Sequence, residues 1–102
     1  MTIQERIKTF VQDNKLETSL EHRMLDLMSE LGELNKEVLK ASKYGKESLK
    51  LTETFADELG DVGFSLLCIA NQTNLNLEAC IQNALSKYQE RLKQSGSASS
   101  GY

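Results

Sequence analysis

The feature that most constrains the fold of this chain is an apolar stripe that recurs every three or four residues over residues 20–41. Its members are Leu20, Met24, Leu27, Leu31, Leu34, Val38 and Ala41. This spacing predicts a long amphipathic helix that packs against another helix. The chain contains no Pro and only six Gly, so helices of this length can run without interruption. The stripe therefore favours an all-α fold.

Shorter stripes before and after it predict a four-helix-bundle-like fold, in which two long antiparallel helices are flanked by shorter N- and C-terminal helices. The first helix is predicted to end near Asp13 and to cover the bundle as a lid. Thr18 and Glu21 have the spacing of a capping box, which predicts the start of the second helix. That helix should end at Tyr44–Lys46.

The third helix is predicted to run over Leu51–Gln72, and Asn76 is predicted to cap a fourth helix that continues to about Lys93. We expect residues 1–94 to form a single domain and the Ser- and Gly-rich residues 95–102 to form a disordered tail. The fourth helix carries apolar residues that we expect to face the core. These are Leu77, Ile81, Ala84, Leu85, Tyr88 and Leu92.

The charge and hydropathy of the chain limit the classes of partner and the cellular location that we expect. Its net charge is −3, and its 12 Lys and Arg form no basic stripe, so nucleic acid is not an expected partner. No apolar run approaches the ~20 residues of a membrane span, and Met1–Arg6 lacks the apolar core of a signal peptide. We therefore expect a cytoplasmic protein without a membrane partner. Cys68 and Cys80 lack metal-type spacing, which predicts two buried free thiols.

Two acidic pairs repeat the same spacing on the two long helices. Glu30 and Glu33 lie on the second helix, and Glu58 and Asp61 lie on the third. Residues at i and i+3 share a helical face with their Cβ atoms about 5–6 Å apart, so the charges in each pair repel unless a cation lies between them. Such pairs are common by chance in a chain with 15 acids, so the signal depends on context.

That context is apolar in both pairs, because residues of the buried stripes adjoin the acids. The adjoining residues are Leu31, Leu34, Leu59 and Val62. If these residues pack in the core, the carboxylates lie at its margin, where a bound cation would relieve the cost of unpaired charge. Each pair also contains a mid-helix glycine, Gly32 or Gly60. Since such a glycine costs about 1 kcal/mol relative to Ala, we expect the two helices to approach closely there.

Four carboxylates without a nearby His or Cys specify a hard cation, so Mg²⁺ or Mn²⁺ is expected rather than zinc or copper. A di-iron bundle would need Glu-x-x-His on two helices, and the one histidine, His22, has no Glu three residues before it. The alternative is a solvated acidic face. In that interpretation Lys36, Lys40 and Lys43 neutralise the acids through i to i+3 and i to i+4 pairs.

Taken in order, these motifs resemble those of the MazG-like all-α nucleoside triphosphate pyrophosphohydrolases, from about Leu20 to Arg91. The matching segments are Glu30–Leu34, Glu58–Val62, Leu75–Ala79 and the Lys-aromatic-x-x-Arg ending at Lys87, Tyr88 and Arg91. The resemblance implies a MazG-type fold. It also implies that Glu30, Glu33, Glu58 and Asp61 hold Mg²⁺ on a nucleoside triphosphate, with water attacking and pyrophosphate leaving. Homodimers or homotetramers are implied as well.

Within this reaction, one of Glu30 or Glu33 could accept the proton of the attacking water, while Lys87 and Arg91 could hold phosphate oxygens. Ser29 departs from the family, since many members have a further Glu at that position, and so the number of metal ions stays open. Two other functions also stay open. They are a noncatalytic, oligomerising helical interaction module and a helical phosphohydrolase acting on a phosphoribosyl intermediate.

Overall fold

The computed structural model describes residues 1–96 as four helices. They are α1 (Ile3–Asp13), α2 (Leu20–Ala41), α3 (Glu53–Gln72) and α4 (Leu77–Ser95). No strand occurs in this part of the chain, and the all-α fold class predicted from the sequence is confirmed. None of the four helices combines the length and apolar character that a membrane crossing requires. The expected tail over residues 95–102 begins within α4, and residues 97–102 lie outside the described part.

The start of α2 differs by one residue from the prediction. Ser19 is the N-cap, and its side-chain oxygen accepts a hydrogen bond from the His22 N–H at 3.1 Å. The predicted capping box of Thr18 and Glu21 is therefore wrong, because the neighbouring hydroxyl occupies the cap position. The helix also ends at Ala41, before the predicted stop.

The core forms where α2 pairs with α3 and where α1 crosses α3. The Phe10 ring of α1 meets the Phe64 ring of α3 edge-on, with 6.2 Å between centroids and an interplanar angle of 85°. This contact agrees with the expectation that α1 covers the long helices. The core is small, and its buried apolar residues are Ile7, Val62, Cys68 and Ala70.

A single side chain ties α1 to the connection between α3 and α4. The Gln4 Nε2 donates to the Leu75 carbonyl at 2.7 Å, and its Oε1 accepts from the Leu77 N–H at 2.9 Å. The Asn71 Nδ2 of α3 also donates to the Gln4 backbone carbonyl at 3.1 Å. Gln4 thereby satisfies the first free N–H of α4 and fixes where that helix begins.

Beyond the hydrogen bonds to Gln4, helix α4 leads away from the other three helices. Asn76 caps it as predicted, by accepting from the Ala79 N–H at 2.9 Å, but α4 packs closely against none of the other three helices. The radius of gyration is 17.0 Å, compared with about 13 Å for a compact chain of this length. The stripe expected to face the core is therefore largely exposed, and Leu85 retains 53% of its accessible surface. Cys80, also on α4, is exposed rather than buried as predicted.

Candidate metal centre

Acids from the two predicted pairs lie side by side because α2 and α3 run antiparallel. Glu30 of α2 lies beside Asp61 of α3. Seven residues earlier on α2, Arg23 lies near Cys68, which is seven residues later on α3. Burial raises the pKa of the Cys68 thiol, and the nearby Arg23 guanidinium opposes that rise. Residues earlier in α2 thus lie beside residues later in α3, as in an antiparallel pair of helices.

Glu30, Glu58 and Asp61 form a group of potential metal ligands, called here the three-acid cluster. One carboxylate oxygen from each lies within 4.8 Å of the other two. Glu30 and Glu58 are half-buried, while Asp61 is exposed. An octahedral Mg²⁺ with oxygens about 2.0–2.1 Å away holds its ligand atoms roughly 3–4 Å apart. Small side-chain rotations would therefore bring the three oxygens to one ion, so the residues fit a hard cation.

The electrostatic surroundings of Glu58 connect all four predicted acids. The pKa of the Glu58 carboxyl is raised above its ordinary value, first by desolvation and then by repulsion from Asp61, Glu30, Glu33 and Glu37. Glu33 contributes to the rise in the pKa of Glu58 although it lies outside the three-acid cluster. A cation placed among these carboxylates would oppose the repulsion and favour their charged forms.

Glu37 is a part of this acidic surface that sequence reasoning missed. It follows Glu33 by four residues and Glu30 by seven, so the helical period places all three on one face of α2. That spacing is the signal that could have identified it. Glu37 also pairs with Lys40 at 4.0 Å, as the solvated-face alternative expects. Within residues 1–96, however, no ion pair of this kind reaches the three-acid cluster.

The two mid-helix glycines beside the acids do not mark a close helix contact. A Cβ atom added to Gly32 or Gly60 would meet nothing within 4 Å, so the predicted close approach is wrong. Of the adjoining apolar residues, Val62 is buried, but Leu31 and Leu59 are exposed. The acids therefore line an open groove between α2 and α3 rather than a closed core margin.

Lys87 and Arg91 lie on α4, away from this groove. The Lys87 Nζ lies 5.3 Å from the centroid of the Tyr88 ring, and the Arg91 guanidinium carbon lies 5.7 Å from it. Within residues 1–96, neither cation forms an ion pair with an acid. Within one chain, both cations thus lie near the Tyr88 ring and not at the three-acid cluster.

Comparisons with known proteins show the family to which the chain is related. The family model of the MazG nucleotide pyrophosphohydrolase domain matches residues 18–95. The chain is 38% identical over 73 residues to the uncharacterised protein YpjD of Bacillus subtilis (strain 168), a match that covers 69% of this chain and 64% of that protein.

The fold is also similar to that in a crystal structure of the Bacillus-conserved MazG protein, a nucleotide pyrophosphohydrolase. The TM-score is 0.71 at 29% sequence identity, and the match covers 84% of each chain. The matched segment of residues 18–95 contains both acidic pairs and all of α2, α3 and α4. On this evidence the chain belongs to the family of MazG nucleotide pyrophosphohydrolase domains.

Proposed function

We propose that this protein hydrolyses a nucleoside triphosphate to the nucleoside monophosphate and pyrophosphate with Mg²⁺, for which Mn²⁺ can substitute. The observation that carries the proposal is the three-acid cluster, with oxygens from two antiparallel helices within 4.8 Å of one another. Family membership supports the reaction class, and the similar Bacillus protein is described as a nucleotide pyrophosphohydrolase. Removal of unwanted nucleotides in the cytoplasm is the corresponding cellular role.

In the proposed reaction, the acids of the chain would position the metal ion and accept the proton of the attacking water. When bound, Mg²⁺ would supply positive charge on the phosphate oxygens, which otherwise repel a nucleophile. Glu30, Glu58 and Asp61 would position it from both helices. Of the two candidate bases, Glu33 is the better placed, because its carboxylate lies outside the three-acid cluster and is free to accept a proton from water.

The proposed phosphate-binding role of Lys87 and Arg91 requires more than one chain. Both lie on α4, which packs closely against no other helix of the single chain. A second copy that covers the exposed apolar stripe of α4 could bring these cations to the groove between α2 and α3. This supports a homodimer as the smallest active assembly, with a homotetramer as a further step. We propose a single catalytic domain over residues 1–94 as the repeating unit of that assembly.

Product analysis with matched variants tests the proposal. A panel of nucleoside triphosphates is incubated with Mg²⁺ and the products are separated by anion-exchange chromatography. Asp61→Asn should lower the rate at least ~100-fold, the scale expected when a charge clamp loses a ligand. Asp57→Asn is the control, because Asp57 lies one turn earlier on the same helix, outside the cluster.

Two outcomes would contradict the proposal. Release of nucleoside diphosphate and inorganic phosphate would refute the proposed cleavage between the α- and β-phosphates. Full activity in a chelator would show that a metal ion held by the acids takes no part in the reaction. The noncatalytic alternative makes a separate prediction, since a module without a metal site gains no thermal stability from Mg²⁺. A phosphoribosyl substrate would be revealed by release of pyrophosphate from that compound and not from the triphosphates.

A further inference from the structure

A cleft of about 200 Å³ opens between α1, the start of α2 and the last turns of α3. Its floor includes Arg23 and Cys68, which are both buried. None of the four predicted acids lines it, so it is separate from the three-acid cluster. We call this space the α1 cleft, and its lining includes Lys8, Gln12, Arg23, Cys68, Asn71 and Gln72.

The α1 cleft lies in line with the three-acid cluster. Arg23 precedes Glu30 by seven residues on α2, and Cys68 follows Asp61 by seven on α3. Seven residues are nearly two helical turns, so each pair shares one face of its helix. The rise over seven residues is about 10 Å. The cleft therefore lies about 10 Å from the acids along the same two helices, a separation that the sugar and α-phosphate of a nucleotide can span.

Hydrogen bonds to backbone carbonyls hold the inner wall of the cleft in place. The Arg23 Nη2 donates to the Leu16 carbonyl at 2.6 Å, and the Gln72 Nε2 donates to the Thr18 carbonyl at 2.6 Å. Asn71 is held in the same way by its bond to α1. These bonds use one N–H donor of each of the two amides and leave their side-chain oxygens available as acceptors. The wall is thus organised before any ligand arrives.

The rim supplied by α1 has polar groups without an internal partner. Within residues 1–96, the side chains of Lys8 and Gln12 make no hydrogen bond or ion pair. A glutamine amide can donate and accept at once, as the edge of a nucleobase requires. Val11 and Cys68 add apolar surface for a flat ring. The volume is below the 300–1,000 Å³ of pockets that enclose a whole drug-sized ligand, which fits a base better than an entire nucleotide.

We propose that the α1 cleft binds the nucleoside end of the triphosphate, with Gln12 hydrogen-bonded to the edge of the base. This inference rests on the proposed function, because it assigns the part of that substrate that the acids do not hold. In this arrangement the base enters the cleft, the phosphates extend along the groove, and the α-phosphate reaches the three-acid cluster. Gln12 is then a specificity-determining residue contributed by α1.

Inorganic tripolyphosphate separates this inference from the proposed function, because it has the phosphate chain without a nucleoside. Gln12→Ala should raise the KM for the triphosphate that the wild type hydrolyses fastest by about 10-fold, the effect of losing one good hydrogen bond. Inhibition by tripolyphosphate and the value of kcat should change less than 2-fold. Gln12→Trp, which fills the cleft from its exposed rim, should raise KM further. Gln82→Ala on α4 is the matched control.

A binding measurement that needs no catalysis completes the test. Adenosine and cytidine 5′-monophosphates, added without metal, should slow alkylation of Cys68 by iodoacetamide. Cys80 is exposed and lies outside the cleft, so its alkylation rate serves as the internal control. Thermal melting of each variant establishes that it is folded.

The outcomes distinguish the two ideas. If the wild type hydrolyses no triphosphate, the proposed function fails, whatever happens at Cys68. If hydrolysis occurs but the Gln12 variants keep the wild-type KM, the cleft assignment is overturned. It is also overturned if KM and the inhibition constant of tripolyphosphate rise together, or if neither monophosphate protects Cys68.

Discussion

Gln4 joins α1 to the start of α4, so its replacement by Ala tests how strongly this link stabilises the fold. The substitution removes the hydrogen bonds to the Leu75 carbonyl at 2.7 Å and from the Leu77 N–H at 2.9 Å. The bond from Asn71 to the Gln4 backbone remains. Two hydrogen bonds at about 0.5–1.5 kcal/mol each contribute about 1–3 kcal/mol.

Two effects place the expected loss in the lower part of that range. Leu75 is exposed, so water can replace the hydrogen bond to its carbonyl. Ala also has a slightly higher helix propensity than Gln, which recovers a few tenths of a kcal/mol. We therefore expect the free energy of unfolding to fall by about 1–2 kcal/mol, which corresponds to a decrease in Tm of about 4–16 °C for a domain of this size.

Thermal unfolding followed by circular dichroism measures this effect. Gln12→Ala is the control, because it removes the same side chain from the same helix at a position without an internal hydrogen bond. All samples need equal protein concentrations, since self-association makes Tm depend on concentration. Equal Tm values for the two variants would refute the argument that the Gln4 link stabilises the fold.

Three further predictions follow from the caps, the charges and the exposed stripe. The pKa of the Glu58 carboxyl is raised in the folded state above its ordinary value of about 4.5, so folding opposes its ionisation. In a chelator, the free energy of unfolding of the wild type should therefore fall relative to that of Glu58→Gln as the pH rises from about 4.5 through the raised pKa. Parallel stability curves of the two proteins against pH would contradict this. Leu85→Glu should shift sedimentation toward a single chain, whereas Gln82→Glu on the same helix should not, and an unchanged assembly would exclude the α4 stripe as the contact. Ser19→Ala should lower the free energy of unfolding by about 1 kcal/mol, while Thr18→Ala should leave the cap of α2 intact. Equal losses, measured by urea denaturation, would reinstate the cap at Thr18.

The helices and the acids could be predicted from the sequence because both depend on local spacing. Apolar residues at helical period predict α2 and α3 wherever their partners lie. Two carboxylates at i and i+3 share a face whatever packs against them. Once α2 and α3 pair as antiparallel helices, Glu30 comes to lie beside Glu58 and Asp61.

The mispredicted environment of α4 depends on tertiary structure. The stripe of α4 predicts an apolar contact but does not say whether the same chain or another copy makes it. Exposure of Leu85 and Cys80 follows from the direction in which α4 leaves its anchor at Gln4, and no local spacing encodes that direction. The α1 cleft was not predicted, because Gln12 and Cys68 are distant in sequence and line one space only when α1 packs against α3.

The position of α1 has a consequence for how members of such a family can diverge. The family model begins at residue 18, whereas Lys8 and Gln12 belong to a helix that ends at Asp13. The acid-bearing helices α2 and α3 therefore lie within the matched segment, while the helix that forms the rim of the cleft lies outside it. If that rim selects the base, exchange of one eleven-residue helix can redirect such a protein to a different nucleotide without any mutation among its acids.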